Sequence, residues 1–332
     1  MLLTVSVPTY NRNARLYECM CDLLPQLTAE CHLRIIDNCS DVPVEETLQG
    51  LFVSFPHASV EVVRNRTNIG GSANVLRCFE LCTTEWLWSL GDDDQIAPDA
   101  IQTIVRQIIA YPDSVFFNFR QGRAETVTTA GLDGLVQAID SFGSILFMAG
   151  GVYRVASLLP HLRVGYHYAY AMAPHTALLL AALNHLGSAG ICQLSGAAIA
   201  VNSKTPPPSQ QWSLVNMHLG MMLLLELPMS QPTRQKLAAE ITDGMPNLEA
   251  SVVQLISSAA RSEVQRATAT YLYDQVRTRW TYAAPPSVTM KSQVYRLLFL
   301  APAVSYNLLQ LVYRLVKRRD VATMQQDRFG RM

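Results

Sequence analysis

The first 118 residues alternate short apolar runs with amphipathic stretches, and this alternation constrains the fold more than any other feature of the chain. Leu2 to Val7 reads as a strand, Ala14 to Leu27 as a helix and Leu33 to Ile36 as a second strand. Val60 to Val63, Trp86 to Leu90 and Val115 to Asn118 add three more strand candidates, with helices expected at Gly71 to Cys82 and Pro98 to Tyr111. Strands separated by crossover helices run in the same direction, so the pattern predicts an α/β fold: a mostly parallel sheet flanked by helices. In such sheets ligands bind beyond the carboxyl ends of the strands. Each strand should therefore be followed by its functional residues.

Polar clusters stand at those positions. The first strand runs into Pro8, Thr9, Tyr10 and Asn11, and the second into Asp37, Asn38, Cys39, Ser40 and Asp41. The third passes into the segment from Arg64 to Asn74, which holds Asn68, Gly70 and Gly71, and the fourth ends at Gly91, Asp92, Asp93 and Asp94. Four polar or glycine-bearing turns in succession form one rim if the sheet is parallel, and a binding crevice is the expectation. The acidic triplet carries the most chemistry. Adjacent carboxylates repel unless a cation offsets them, and oxygen ligands without His or Cys suit Mg²⁺ or Mn²⁺. Acids ahead of Pro98 could also complement the dipole of the following helix.

Taken together, Val5-Ser-Val-Pro-Thr-Tyr-Asn11, Ile35-Ile-Asp-Asn38, Asn68 with Gly70 and Asn74, and Leu90-Gly-Asp-Asp-Asp94 resemble the motifs of the family-2 glycosyltransferases. The resemblance covers residues 2 to 118, with a weaker echo at Gly150-Gly-Val-Tyr-Arg154. It implies a Rossmann-like domain that binds a nucleotide-sugar, most simply a UDP-sugar, and a divalent metal at an Asp-x-Asp type element. Carried over, Pro8, Thr9, Tyr10 and Asn11 line the nucleotide pocket, and Asp37 contacts the base or ribose. Asn68, Gly70, Asn74 and Asp92 complete the donor site, with Asp93 and Asp94 as metal ligands and Asp94 also placed among the catalytic residues. Gly91 stands where many members carry the first Asp, so the acidic pattern is shifted along the chain. A metal there would offset the charge building on the leaving diphosphate.

An inverting transfer, the expected mode, needs a base for the acceptor hydroxyl. Members place an Asp or Glu at a helix start some way past the metal element, yet this chain has no Asp or Glu between Asp140 and Glu226. His175, after Pro174 at the start of the apolar segment Thr176 to Leu186, is the candidate base. The alternative is a pocket histidine that orients the acceptor. His161, His167 and His185 are weaker candidates, and a base elsewhere, a retaining mechanism or proton loss to solvent stay open.

The rest of the chain divides accordingly. A catalytic domain is expected over 1–208, with a nucleotide-sugar half to residue 118 and an acceptor half over 119–208, followed by a helical C-terminal region over 209–332. Gln121 to Gly131 reads as a loop over the acceptor, Gly187 to Val201 as a buried strand pair, and Lys204 to Ser209 as a proline-rich hinge. Helical periodicity runs from Trp212 onward, with breaks expected near Pro228, Pro232, Pro246 and Pro285-Pro286. Seven cysteines match no zinc spacing and read as reduced thiols, and the N-terminus has no basic leader with an apolar stretch. A cytoplasmic protein is the expectation.

Net charge is zero, with 26 basic and 26 acidic residues, which argues against a nucleic-acid binder. The zero is a cancellation. From Lys291 to Met332 there are eight Lys or Arg and only Asp320 and Asp327 as acids. Leu297, Leu300, Val304, Leu308, Leu311 and Leu315 recur at helical steps just before Arg314, Lys317, Arg318 and Arg319. An interfacial helix on the inner face of the cell membrane, contacting it through 291–319, fits that combination. Packing on the domain or in a homo-oligomer is the alternative.

These readings converge on a metal-dependent glycosyltransferase that moves a sugar from a nucleotide-sugar to a glycan or lipid-linked acceptor in surface polysaccharide synthesis. A catalytically inactive sugar- or nucleotide-binding scaffold of the same fold is the alternative. Nucleotidyl transfer would need a glycine-rich loop after the first strand, and Pro8-Thr-Tyr-Asn11 is not one.

Overall fold

The computed structural model describes residues 1–119, 125–195, 199–202, 220–244, 248–260, 262–281 and 286–317. The expected hinge at Lys204 to Ser209 and much of the loop from Gln121 lie outside them. The chain divides into two compact units, one within Met1–Lys204 with Leu227–Met229, the other within Thr205–Glu226 and Ser230–Met332.

The first unit is built on eight strands: β1 (Leu3–Thr9), β2 (Cys31–Asp37), β3 (Val60–Arg64), β4 (Trp86–Ser89), β6 (Ser114–Phe119), β7 (Val127–Ala130), β8 (Gly151–Arg154) and β9 (Gly190–Leu194). Their order across the sheet is β3-β2-β1-β4-β8-β6-β9-β7. β3, β2, β1 and β4 pair in parallel, with Thr9 opposite Asp37 and Asp37 opposite Arg64, so their polar ends reach one edge together. Helices α1 (Asn13–Leu23), α2 (Val44–Ser54), α3 (Gly71–Glu80) and α4 (Ala100–Ala110) connect or follow them. Leu3, Val5, Val7, Leu33, Ile35, Trp86 and Trp88 are fully buried. In β1, Thr4 and Ser6 on the other face are as buried as Leu3, Val5 and Val7, and in β4 Leu87 and Ser89 are too, so both faces are covered.

The mixed half departs from simple alternation. β8 inserts antiparallel between β4 and β6, with Trp88 opposite Val152 and Phe117 opposite Val152. Trp88 donates its indole N–H to the Ala149 carbonyl at 2.8 Å, fixing the entry to β8. The expected strand pair in Gly187 to Val201 is corrected: β9 joins the main sheet, while β10 (Ala200–Asn202) pairs antiparallel with β5 (Asp94–Ile96). Likewise the expected loop to Gly131 contains β7, whose edge position against β9 comes from long-range pairing. Helices α5 (Gly131–Ala138), α6 (Gly143–Leu146), α7 (Val155–Leu158), α8 (Leu162–His167) and α9 (Pro174–Leu186) complete this unit.

The second unit is helical where described: α10 (Gln231–Gly244), α11 (Leu248–Ala259), α12 (Glu263–Thr281), α13 (Pro286–Leu297) and α14 (Pro302–Lys317). Pro286 and Pro302 each open a helix, where the missing N–H costs nothing. Pro232 lies in the first turn of α10, directly after the non-helical residues 227–230 where the break was expected. The apolar run from Leu297 is likewise interrupted by a turn before Pro302, so the stripe spans two helices.

Candidate active site

Three of the turns beyond the parallel strands each hold one residue in the left-handed region: Asn11 (φ 53°), Cys39 (φ 66°) and Gly70 (φ 87°). Asn adopts that region more readily than most residues and Gly without cost. These reversals turn the chain sharply at the rim. The Asn11 and Asp41 loops are stitched together: Asp41 N–H donates to Asn11 Oδ1 at 2.7 Å, and Asn11 Nδ2 donates to Asp41 Oδ2 at 3.1 Å.

Asparagines build the third turn. Asn65 Nδ2 donates to Asn38 Oδ1 at 2.9 Å and to Asn74 Oδ1 at 2.8 Å, while Asn74 Nδ2 donates to the Ile36 carbonyl. Asn38 Nδ2 donates to Asn68 Oδ1, which also accepts the Gly70 N–H, both at 2.8 Å. A side-chain amide both donates and accepts, so a ladder of them satisfies buried backbone without importing charge. Asn74 is buried and acts as its foundation, whereas Asn68 and Gly70 stand exposed at the rim.

Asp37 does not stand open for a base or ribose. Its carboxylate is 1% exposed, accepts the Ser40 N–H at 2.8 Å on Oδ1 and is paired through Oδ2 with Arg64. Arg64 also donates to the Ser40 carbonyl, so Asp37 shapes the 38–41 turn. Among the pocket residues expected after β1, Pro8 is half-buried, Tyr10 is exposed and Thr9 is buried.

The acidic triplet is held by two arginines. Thr9 Oγ1 donates to Asp92 Oδ2 at 2.6 Å, and Arg12 Nη1 bridges Asp92 Oδ1 at 3.0 Å and Asp93 Oδ2 at 3.1 Å. Arg15 Nη1 reaches the same Asp93 oxygen at 3.0 Å. Burial pushes the Asp92 carboxyl up against the opposing pull of Arg12 and Thr9. Burial, then Asp93, pushes Asp94 up to about 7. Asp94 turns back on its own loop, accepting the Gly91 N–H at 3.0 Å. A Cβ at residue 91 would lie 2.6 Å from that Asp94 oxygen, which accounts for glycine where the family commonly has an acid.

Arg12 and Arg15 were not among the expected site residues, though a signal was present. Both sit at the start of α1, where a cation opposes the helix dipole. Two arginines there answer a negative charge from another element.

Among the described residues no group of three or more His, Cys, Asp or Glu forms a metal cage. The triplet splits three ways instead. A Mg²⁺- or Mn²⁺-type ion commonly takes one or two carboxylates and completes its shell with phosphate and water. Asp93 suits that form: its side chain is 19% exposed against 6% for Asp92, and its donors are hard oxygens. Asp94, expected as a second ligand and catalytic group, is folded onto backbone.

His175 is buried beside the segment that leads into β8. It is 5% exposed on the first turn of α9, and its Nε2 is hydrogen-bonded to the Leu146 carbonyl at 3.0 Å. A carbonyl only accepts, so Nε2 carries the proton. Burial holds the imidazole down at about 4, well below its ordinary value. Next to it, Thr176 Oγ1 donates to the Ile145 carbonyl at 3.1 Å. This pair of hydrogen bonds ties α6 to α9. His161 and His185 lie against each other, ring centroids 5.2 Å apart, and His167 packs on Tyr168.

Comparison with known proteins bears on this rim directly. Residues 4–149 match the family model described as glycosyl transferase family 2. That segment is a family-2 glycosyl transferase segment. An uncharacterized glycosyltransferase of Haemophilus influenzae is 30% identical over 128 residues, 38% of this chain and 40% of that protein. An uncharacterized protein of Mycobacterium tuberculosis is 24% identical over 32% of each chain, and this chain spans well under half of the curated relatives it matches. Among solved structures, residues 1–349 of TarS from S. aureus, in complex with UDP-GlcNAc, superpose with a TM-score of 0.63 at 17% identity, covering 95% of this chain and 92% of that one. The mannosyltransferase PcManGT from Pyrobaculum calidifontis, in complex with GDP-Man and Mn²⁺, superposes at 0.52 with 12% identity, covering 96% and 88%. At these identities the likeness is one of fold: a Rossmann-like architecture.

Proposed function

We propose that the protein transfers a sugar from a nucleotide-sugar, a UDP-sugar first, to a hydroxyl of a glycan or lipid-linked acceptor. The observation that carries this reading is the Arg12, Arg15, Asp92 and Asp93 cluster at the end of β4, within a rim of three reversed turns in a family-2 segment. Pro8, Tyr10, Asn11 and Asn68 offer the nucleoside a half-buried to exposed wall, and Asp37, with Arg64, holds the turn behind it. Arg12 and Arg15 direct cationic donors toward the acidic element, where a diphosphate adds charge.

A divalent ion held by Asp93 would act as a Lewis acid for the leaving diphosphate. Arg12 holds Asp92 and Asp93 in register so that the carboxylate is presented rather than collapsed inward. Asp94 closes the loop that carries them. Surface polysaccharide synthesis is the process in which such a transfer is proposed to act.

The test uses the purified full chain with UDP-, GDP- and dTDP-sugars, with Mn²⁺, with Mg²⁺ and with EDTA. One donor should raise the Tm and be slowly hydrolysed, with hydrolysis lost in EDTA. Stabilisation without turnover under every condition would identify a binding protein of the same fold. Neither stabilisation nor hydrolysis across the panel would overturn the reading.

A further inference from the structure

Helices α13 and α14 turn a row of apolar side chains to solvent while making polar contacts with α12, where an ordinary surface helix keeps its apolar stripe inward. On the inner side, Tyr273 of α12 donates its hydroxyl to the Ser292 carbonyl, Arg296 pairs with Asp274 at 2.7 Å, and Arg266 donates to the Leu300 carbonyl at 2.6 Å. Phe299 stacks on Tyr273 with ring centroids 4.8 Å apart, and Ser292 and Ser305 are buried. These contacts fix which way the two helices face. Outward stand Val294, Leu297, Leu300, Val304, Leu308 and Leu311, between 53% and 68% exposed. Exposed leucines are common singly; a run recurring at steps of three and four is not.

Charge identifies what this face meets. Immediately beyond Leu311 the sequence holds Arg314, Lys317, Arg318 and Arg319, and from residue 291 onward only Asp320 and Asp327 are acidic. A second copy docking through the same face would offer these cations no counter-charge, since an isologous interface repeats its own surface and 291–319 holds no acid. An anionic lipid surface offers the opposite sign and an apolar layer to receive the leucines. Among the described residues no helix is long and apolar enough to cross a membrane, so the contact lies along the surface.

We propose that the outward face of α13 and α14, with the basic segment after it, docks on an anionic lipid surface. This goes beyond the catalytic reading and does not depend on it. The test is flotation of the full chain with vesicles of phosphatidylcholine alone and with equal parts phosphatidylglycerol. The protein should float with the anionic vesicles and remain behind with the neutral ones. Leu308→Gln with Leu311→Gln, both solvent-facing, should lower partitioning more than roughly tenfold with unchanged circular dichroism and Tm. Lys317→Gln, Arg318→Gln and Arg319→Gln together should abolish the preference for anionic vesicles. Failure to float with either vesicle overturns the proposal. So does a dimer in sedimentation equilibrium that the leucine pair variant dissolves while flotation is absent, because the face then belongs to a second copy.

Discussion

The rim beyond β1 to β4 and the start of α9 solve opposite problems within one unit. At the rim, Asp92 and Asp93 are kept beside Arg12 and Arg15, so charge is concentrated and answered by charge. At the start of α9, His175 and Thr176 meet only backbone carbonyls, and burial keeps the imidazole neutral. The partly exposed charges of Arg12, Arg15 and Asp93 can exchange partners for a ligand, whereas burial makes the His175 imidazole a weak base while its Nε2–H holds the Leu146 carbonyl.

Five substitutions would break or sharpen this contrast. Asp93→Asn should cost the most, lowering donor hydrolysis roughly a hundred- to thousandfold while Tm stays near wild type, as measured by product release and thermal melting. Equal hydrolysis by the variant would remove Asp93 from the reaction. Arg12→Gln should come next. It leaves the buried Asp92 carboxylate short of its cation, at about 3 kcal/mol in denaturant unfolding, and weakens donor binding; Arg15→Gln should do less because Arg12 still reaches Asp93.

His175 supplies the third test, through pH. Its imidazole is held at about 4 in the fold and titrates near 6.5 when unfolded, so the unfolded chain binds the extra proton between those values. Stability is therefore fully present above about 6.5 and falls as the pH drops toward 4, by up to about 3 kcal/mol. His175→Gln should flatten that slope in urea titrations and keep turnover within about threefold. A hundredfold loss of turnover with the slope intact would return His175 to the chemistry. The smallest effect belongs to Gly91→Ala, whose Cβ would press on the Asp94 carboxylate; about 1 kcal/mol of stability should go, read as a Tm decrease.

Much of the donor rim was legible because its signals are local. An apolar run followed by Pro8-Thr-Tyr-Asn11 or Gly91-Asp-Asp-Asp94 declares a strand and its end within a few residues. What each rim side chain touches was not legible. Thr9 bonds Asp92 across 83 positions and Arg12 reaches Asp92 across 80, and neither spacing leaves a mark in the sequence. Asp37 was assigned to the base or ribose on the family resemblance alone, which carries no sign that Arg64, opposite it in register on β3, pairs with it.

By itself the sequence determined the order of the main strands and three of the helices up to residue 118, the polar turns after each parallel strand, and the division between an acidic body and a basic end. Hydrophobic period and turn chemistry are properties of neighbouring residues, so they can be read one segment at a time. Only the tertiary structure decided that β8 runs antiparallel between β4 and β6, that β10 pairs with β5, that two arginines clasp the acidic triplet, and that His175 is sealed beneath Leu146. Strand partners, ion pairs and burial depend on residues brought together from distant parts of the chain. A local pattern shows that a histidine begins a helix, but not what that helix packs against.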